Sequence, residues 1–163
     1  MASLLTLRII KGYTRPVISL KEDVTCLIDT GADIPVWTQG SESLKRAFNA
    51  KGMKDKKFIL SGFGKEPEIA DVYNIADVIL RDNKGDVITF KNLTVACTAR
   101  PAMVAHLILP ATAFSHMNYT ICNVGVQKPV VEIEHYKDEY YVNPIFSSVD
   151  DRFVERVYSF VNE

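Results

Sequence analysis

The chain lacks a large excess of charge of either sign. Its 163 residues carry 19 Lys and Arg against 20 Asp and Glu, a formal net charge of -1. A protein that binds nucleic acid through phosphate contacts normally displays a basic surface, so we expect no nucleic-acid partner. The lysines around Met53 form a local basic run that is typical of a solvated loop.

Cysteine is scarce and unpatterned. The chain has only three: Cys26, Cys97 and Cys122. No Cys-x-x-Cys or mixed Cys/His spacing indicates a zinc site. The three histidines, His106, His116 and His135, also lack metal spacing and are interpreted as structural or surface residues. We therefore expect buried, reduced thiols in a cytoplasmic protein that holds no metal.

Long apolar runs are also missing. No stretch approaches the roughly 20 apolar residues that a membrane-spanning helix needs. The first residues, MASLLTLRIIKGYTRP, do not combine a basic start, a long apolar core and a cleavage site, as a secretory signal does. We expect no membrane partner.

What the chain has is an abundance of short strand patterns. Its length fits one domain, residues 1–163. Alternating or apolar runs bounded by turn residues predict strands at 17–20, 24–28, 72–80, 86–90, 93–98, 130–136 and 140–142. Charged or Asn-Gly-rich turns join them into three hairpins: 17–20 with 24–28, 72–80 with 86–90, and 130–136 with 140–142.

Helical patterns are few. They cover 41–52, with Gly52 as the stop, 110–117, and the tail 147–163 behind a weak capping box at Ser148. The apolar stripe of the tail favours packing on its own domain over a partner. The patterns together predict a mainly antiparallel β domain with a few short helices.

The stretch CLIDTGADIPVW, residues 26–37, interrupts an apolar strand with Asp29, Thr30 and Gly31. A carboxylate at the end of a buried strand costs free energy unless it is hydrogen-bonded or used. The glycine indicates a sharp turn. Two interpretations stay open: a strand that simply ends in a turn, and a catalytic carboxylate on a rigid turn.

Peptide hydrolysis by carboxylates requires two of them. Two adjacent carboxyl groups share one proton, so the ionised group activates water while the protonated one donates to the carbonyl oxygen. Asp-Thr-Gly occurs once in this chain, and Asp-Ser-Gly is absent. A catalytic pair therefore needs Asp29 from a second copy across a two-fold axis. A catalytic role for Asp29 thus predicts a homodimer.

With its flanks, CLIDTGADIPVW resembles the active-site segment of the retroviral-type aspartic proteases, the retropepsins. Three further segments agree in order with that family: TRPVISL at 14–20, the flap-like FILSGFGKEPEIADVY at 58–73, and HLILPATAFSHM at 106–117. The last departs from it, because Pro110 stands where the family has glycine. The resemblance covers residues 14–120. It implies a closed antiparallel β-barrel that acts as a two-fold dimer, and it leaves 125–163 as a C-terminal extension with a β-hairpin and a terminal helix.

The resemblance also implies roles for individual residues. Asp29 is the catalytic carboxylate, and Thr30 and Gly31 support the active-site loop. The substrate-binding candidates are Ala32, Asp33, Gly62, Phe63 and Gly64. Asp33 could instead pair with an arginine, and contact between Phe63 and substrate stays open. Trp37 is interpreted as core packing.

The leading hypothesis is a homodimeric aspartic endopeptidase that cleaves polypeptides with water activated by the two Asp29 residues and needs no metal or organic cofactor. One alternative is a catalytically inactive retropepsin-like domain that binds peptides or partners. Another is an unrelated β-barrel binding module in which Asp29 merely closes a turn.

Overall fold

The protein is mainly β. The computed structural model describes residues 2–10, 15–21, 24–29, 32, 34–38, 46, 48–62, 65–98, 105–122, 129–141 and 157–159. The strands in these ranges are β1 (Ser3–Arg8), β2 (Val17–Lys21), β3 (Val24–Asp29), β4 (Val36–Thr38), β5 (Lys51–Gly62), β6 (Lys65–Arg81), β7 (Val87–Thr98), β8 (Leu107–Pro110), β9 (Asn118–Cys122), β10 (Val130–His135), β11 (Glu139–Tyr141) and β12 (Val157–Ser159). A 3₁₀ helix, Ala111–Phe114, follows β8.

The strands form two sheets. The smaller is antiparallel, in the order β1-β10-β9. The larger runs β12-β5-β6-β7-β4-β8-β3-β2, with β11 beside β7. Four of its pairs are parallel: β3 with β8, β4 with β7, β11 with β7, and β12 with β5. Among the described strands this sheet is open and mixed, so the expected closed, antiparallel barrel is not what they form. Hairpin signals predict antiparallel neighbours and carry no information about crossovers.

Two of the three predicted hairpins are confirmed. β2 pairs antiparallel with β3, and β6 with β7. The separate strand predicted at 93–98 is the continuation of β7, which runs on past Asn92 at a φ of 52°. Asparagine tolerates this left-handed conformation better than most residues.

The third hairpin is wrong. β11 pairs in parallel with β7 instead of folding back on β10. The hydroxyl of the buried Tyr140 accepts the backbone N–H groups of Tyr136 and Lys137, at 3.1 and 3.0 Å, and so fixes the bend between the two strands. The predicted C-terminal extension thus contributes β10 to the small sheet and β11 to the large one.

One helix prediction is confirmed, and another ends earlier than expected. The one at 110–117 is confirmed as the 3₁₀ turn Ala111–Phe114. Residues 41–45 and 47 of the helix predicted at 41–52 lie outside the described residues. In the rest, helical structure stops at Asn49, whose φ is 53° and whose N–H donates to the Arg46 carbonyl. Asparagine is thus the stop signal, and Gly52 lies in β5. No helix in the described residues is long and apolar enough to cross a membrane.

The tail and the lysine-rich run also differ from expectation. Residues 157–159 of the predicted C-terminal helix form β12, and the rest of that helix lies outside the described residues. The lysine-rich run lies in β5, where Lys57 forms an ion pair with Asp71 across the hairpin. Strand pairing overrides local propensity in both places.

Apolar side chains collect into two clusters. The larger contains residues of both sheets, among them Leu5 and Leu7 of β1 and Ile88 and Phe90 of β7. Cys26 is buried within it, and burial raises the pKa of its thiol. Cys97 and Cys122 are half-buried, so the expectation of buried thiols holds for Cys26 only.

A carboxylate in the β6–β7 turn ties the sheets together. Asp82 is only 7% exposed. Its Oδ1 accepts the N–H groups of Lys84 and Asp86 at 2.9 and 3.0 Å, and its Oδ2 accepts the Thr6 N–H of β1 at 3.1 Å. Burial alone would raise the pKa of Asp82, but these bonds and the Lys84 charge outweigh it and hold the pKa below its usual value.

We expect Asp82→Asn to lower the free energy of unfolding by about 1–3 kcal/mol, because an amide cannot accept all three N–H groups. Chemical denaturation at neutral pH measures the loss. In the parent, this contribution is present above the unfolded-state pKa of about 3.9 and disappears as the pH falls through the lower folded value. Asp77→Asn is the control, because Asp77 is an exposed carboxylate in an ion pair with Lys91. Equal effects of the two substitutions would contradict this role of Asp82.

Candidate functional site

Asp29 is the last residue of β3. The three residues before it, Cys26, Leu27 and Ile28, are buried, whereas Asp29 is half-buried. The chain turns directly afterwards, where the Ala32 N–H donates to the Asp29 carbonyl at 3.1 Å. The buried strand therefore delivers its carboxylate to a turn at the end of the sheet. Thr30, Gly31 and Asp33 lie outside the described residues.

Strand β8 lies beside β3 in parallel. Cys26 is opposite Leu107 and Asp29 is opposite Pro110, so the carboxyl ends of the two strands coincide. Pro110 is buried and extended, at φ -80° and ψ 168°, and leads into the 3₁₀ helix. At a strand end, before a helical turn, the missing donor of proline is tolerated.

The segment after the turn is held by the same strand. β4 pairs antiparallel with the other edge of β8, with Val36 opposite Ile108. It also pairs in parallel with β7, with Val36 opposite Ala96. Strand β8 thus lies between the strand that enters the Asp29 turn and the strand that leaves it. Backbone pairing on both sides restricts where the carboxylate can move.

The smaller apolar cluster contains the residues that follow the turn at Asp29. Ala32, Ile34 and Val36 are buried in it, with 0% exposure for Ile34. The β5–β6 hairpin adds the buried side chains Phe58, Leu60, Ala70 and Val72 to the same cluster. The hairpin and the turn at Asp29 therefore share one apolar cluster.

The segment predicted to be flap-like forms an antiparallel hairpin. β5 and β6 pair antiparallel up to Gly62 opposite Lys65, which leaves a connection of two residues. These two, Phe63 and Gly64, lie outside the described residues. Gly62 is the last described position before the tip.

Trp37 belongs to the core. Trp37 is 3% exposed and packs edge-to-face on Phe48, with ring centroids 5.5 Å apart, as expected for core packing.

A groove of about 620 Å³ has a lining that does not include Asp29. Its lining consists of Leu20, Phe48, Asn49, Ala76, Asp77, Ile79, Arg81, Asp82 and Asn83.

One group of side chains has metal-ligand composition. Ligand atoms of Asp86, His135 and Asp138 lie within 4.8 Å of one another. The sequence gives no signal for this group, because 49 residues separate Asp86 from His135 and no spacing rule joins them. His135 is structural, as expected, and is deeply buried.

Comparison with known proteins adds a partial likeness. No family model and no curated protein matches the chain. Among solved structures, a retropepsin-like aspartic protease from Rickettsia conorii matches with a TM-score of 0.48 and 10% sequence identity, over 83% of this chain and 92% of that one. At this overlap and identity the likeness defines neither the family nor the activity of this chain.

We expect Ile34→Ala to lower the free energy of unfolding by about 2–5 kcal/mol, because it opens a cavity beneath the Asp29 turn. Ile69→Ala is the matched control, since Ile69 is 74% exposed on β6. Urea denaturation compares the two variants. Equal midpoints would show that the apolar cluster does not support the turn.

Proposed function

We propose that the protein is a homodimeric aspartic endopeptidase in which the Asp29 carboxyls of two copies form the catalytic pair. The observation that carries the proposal is the placement of Asp29. It is a half-buried carboxylate at the end of a buried strand, on a turn whose two arms both pair with β8. A turn that merely reversed the chain would not need a carboxylate in this position, where burial is costly.

The chemistry follows from two carboxyls that share one proton. The ionised group takes a proton from water as the oxygen attacks the peptide carbonyl, and the protonated group donates to the developing oxyanion. The carboxyl that took the proton from water then gives it to the amide nitrogen as the C–N bond breaks, while the other carboxylate takes back the hydroxyl proton, so the pair again shares one proton. The reaction needs no metal or organic cofactor, since positioning of the water and the shared proton provide the catalysis.

A dimer is required because each chain supplies one Asp-Thr-Gly. The substrate would be an extended polypeptide in a channel between the copies, held by strand-like backbone bonds. The β5–β6 hairpin would cover such a channel, with Gly62, Phe63 and Gly64 as the candidate contacts. Asp33 and Ala32 would lie along the channel floor. Because the Ala32 side chain is buried in the single chain, its contribution would come through its backbone.

A second candidate is an inactive domain of the same type that binds peptides. Pro110 favours it, because a residue without an N–H lies directly opposite Asp29. A hydrogen bond that an N–H could give near the catalytic carboxyl is not available from that position.

The decisive substitution is Asp29→Asn. We expect it to reduce cleavage of a complex peptide pool by more than about 10³-fold, because an amide cannot act as the general base. Mass spectrometry of new termini, at neutral and mildly acidic pH, measures cleavage and reveals the sites. Asp77→Asn serves as the control with intact activity. Equal cleavage by Asp29→Asn and the parent would exclude the proposal, and no cleavage by a folded, dimeric parent would favour the inactive binding domain.

Mixing the parent with Asp29→Asn tests whether one site needs two chains. If subunits exchange freely and both carboxyls are required, an equal mixture retains about a quarter of the activity of the same total amount of parent, since only parent–parent dimers cleave. If the site were complete within one chain, the mixture would retain about half of that activity. Activity is measured after equilibration, with sedimentation to confirm the dimer.

A further inference from the structure

His135 lies where the small sheet meets the β6–β7 turn of the large one. It is the last residue of β10, and its backbone is paired with Ser3 of β1. The side chain is 1% exposed. Its Nδ1 lies 2.8 Å from the Lys137 carbonyl oxygen, and its Nε2 lies 2.7 Å from Oδ2 of Asp86, which follows the β6–β7 turn.

Both ring nitrogens therefore face acceptors. A carbonyl oxygen has no proton to give, so Nδ1 of His135 must be the donor to Lys137. Nε2 and the Asp86 oxygen would then meet lone pair to lone pair unless a proton lies between them. The 2.7 Å separation fits a charge-assisted hydrogen bond.

The separation also distinguishes a proton from a metal ion. An ion bonded to both atoms at about 2.0–2.2 Å would hold them roughly 3 Å or more apart at ordinary bond angles. Asp138, the third member of the group, is exposed. The observed distance is that of a shared proton.

The surrounding charges favour the protonated ring. Burial lowers the pKa of His135, but the bonds to Asp86 and Lys137 and the negative charges of Asp86 and Asp138 outweigh it, so the pKa lies above its usual value. Two polar groups on neighbouring elements have partners of their own. From β11 the Tyr140 hydroxyl accepts two backbone N–H groups, and Lys84 of the turn reaches the Leu4 carbonyl at 3.5 Å.

We propose that His135 and Asp86 form a proton-dependent latch that fastens the three-stranded sheet to the β6–β7 turn. The neighbouring Asp82 binds β1 through Thr6 in the same turn, so both bonds act on one junction. Loss of the shared proton leaves two facing acceptors, one of them nearly fully buried, and that repulsion loosens the junction.

The direction of the pH dependence follows from linkage. A group whose pKa is raised on folding stabilises the protein fully below its unfolded value, about 6.5 for histidine, and loses that contribution as the pH rises through the folded value. The folding equilibrium constant of the parent should fall roughly tenfold for each unit by which the folded pKa exceeds the unfolded one.

Titration of the ring by NMR tests the latch directly in the unmodified protein. We expect both ring nitrogens of His135 to carry protons at neutral pH. We also expect His135 to lose its proton above the ordinary histidine pKa of about 6.5. Titration at or below that value would overturn the proposal.

Denaturation by urea between about pH 6 and about pH 9 tests the effect on stability. The parent should lose stability as the pH rises. Asp86→Asn should remove most of that slope, because its amide donates to the neutral ring at any pH. His116→Gln should keep the slope.

Two results would overturn the proposal in this assay. One is an unchanged slope in Asp86→Asn. The other is stabilisation of the parent, but not of Asp86→Asn, by added Zn²⁺ at the upper pH, which would make a metal ion the shared cation.

Discussion

Backbone pairing along β8 is the constraint on which the arrangement around Asp29 depends. All four residues of this strand are buried, so its carbonyl and N–H groups must find partners in the sheet. It finds them in β3 on one side and β4 on the other. Because the chain passes from β3 to β4 through the Asp29 turn, pairing of both strands with β8 fixes the two ends of that turn at once. The apolar cluster under Ile34 then fills the space below it.

A second constraint acts at the β6–β7 turn, far along the chain from Asp29. There the protein buries charge, and it does so with partners. Asp82 accepts three backbone N–H groups, and His135 has an acceptor at each ring nitrogen. Removing one partner of such a buried pair lowers the free energy of unfolding strongly, whereas replacing both partners together changes it little. They therefore specify how the small sheet joins the large one, while the apolar clusters provide most of the stabilisation.

The sequence predicts local features well and distant ones poorly. The end of a strand at Asp29, the turn after it and two hairpins follow from residue type and periodicity, because each depends on neighbours in the chain. The parallel partners of β11 and β12 do not, since periodicity indicates which face of a strand is buried and not which strand lies beside it. The helix at 41–52 was predicted to end at Gly52, but the backbone turns at Asn49, the other residue type that adopts positive φ readily. The bond between His135 and Asp86 has no local signature at all.

The proposed catalytic pair and the proposed latch depend on the same interaction, a proton shared by two acceptors. The pair would form between two chains, and the latch forms within one. In each, two acceptors face each other at close range and require a proton between them. The latch forms within one chain and acts on its stability, whereas the catalytic pair forms between chains and acts on the reaction. Asp86→Asn removes the first without touching the second. A decline in activity at high pH that disappears with this substitution arises from the fold, and one that survives it arises elsewhere. The pH profile of any cleavage activity can be divided in this way, because the groups proposed for the two roles lie on different elements and have separate partners.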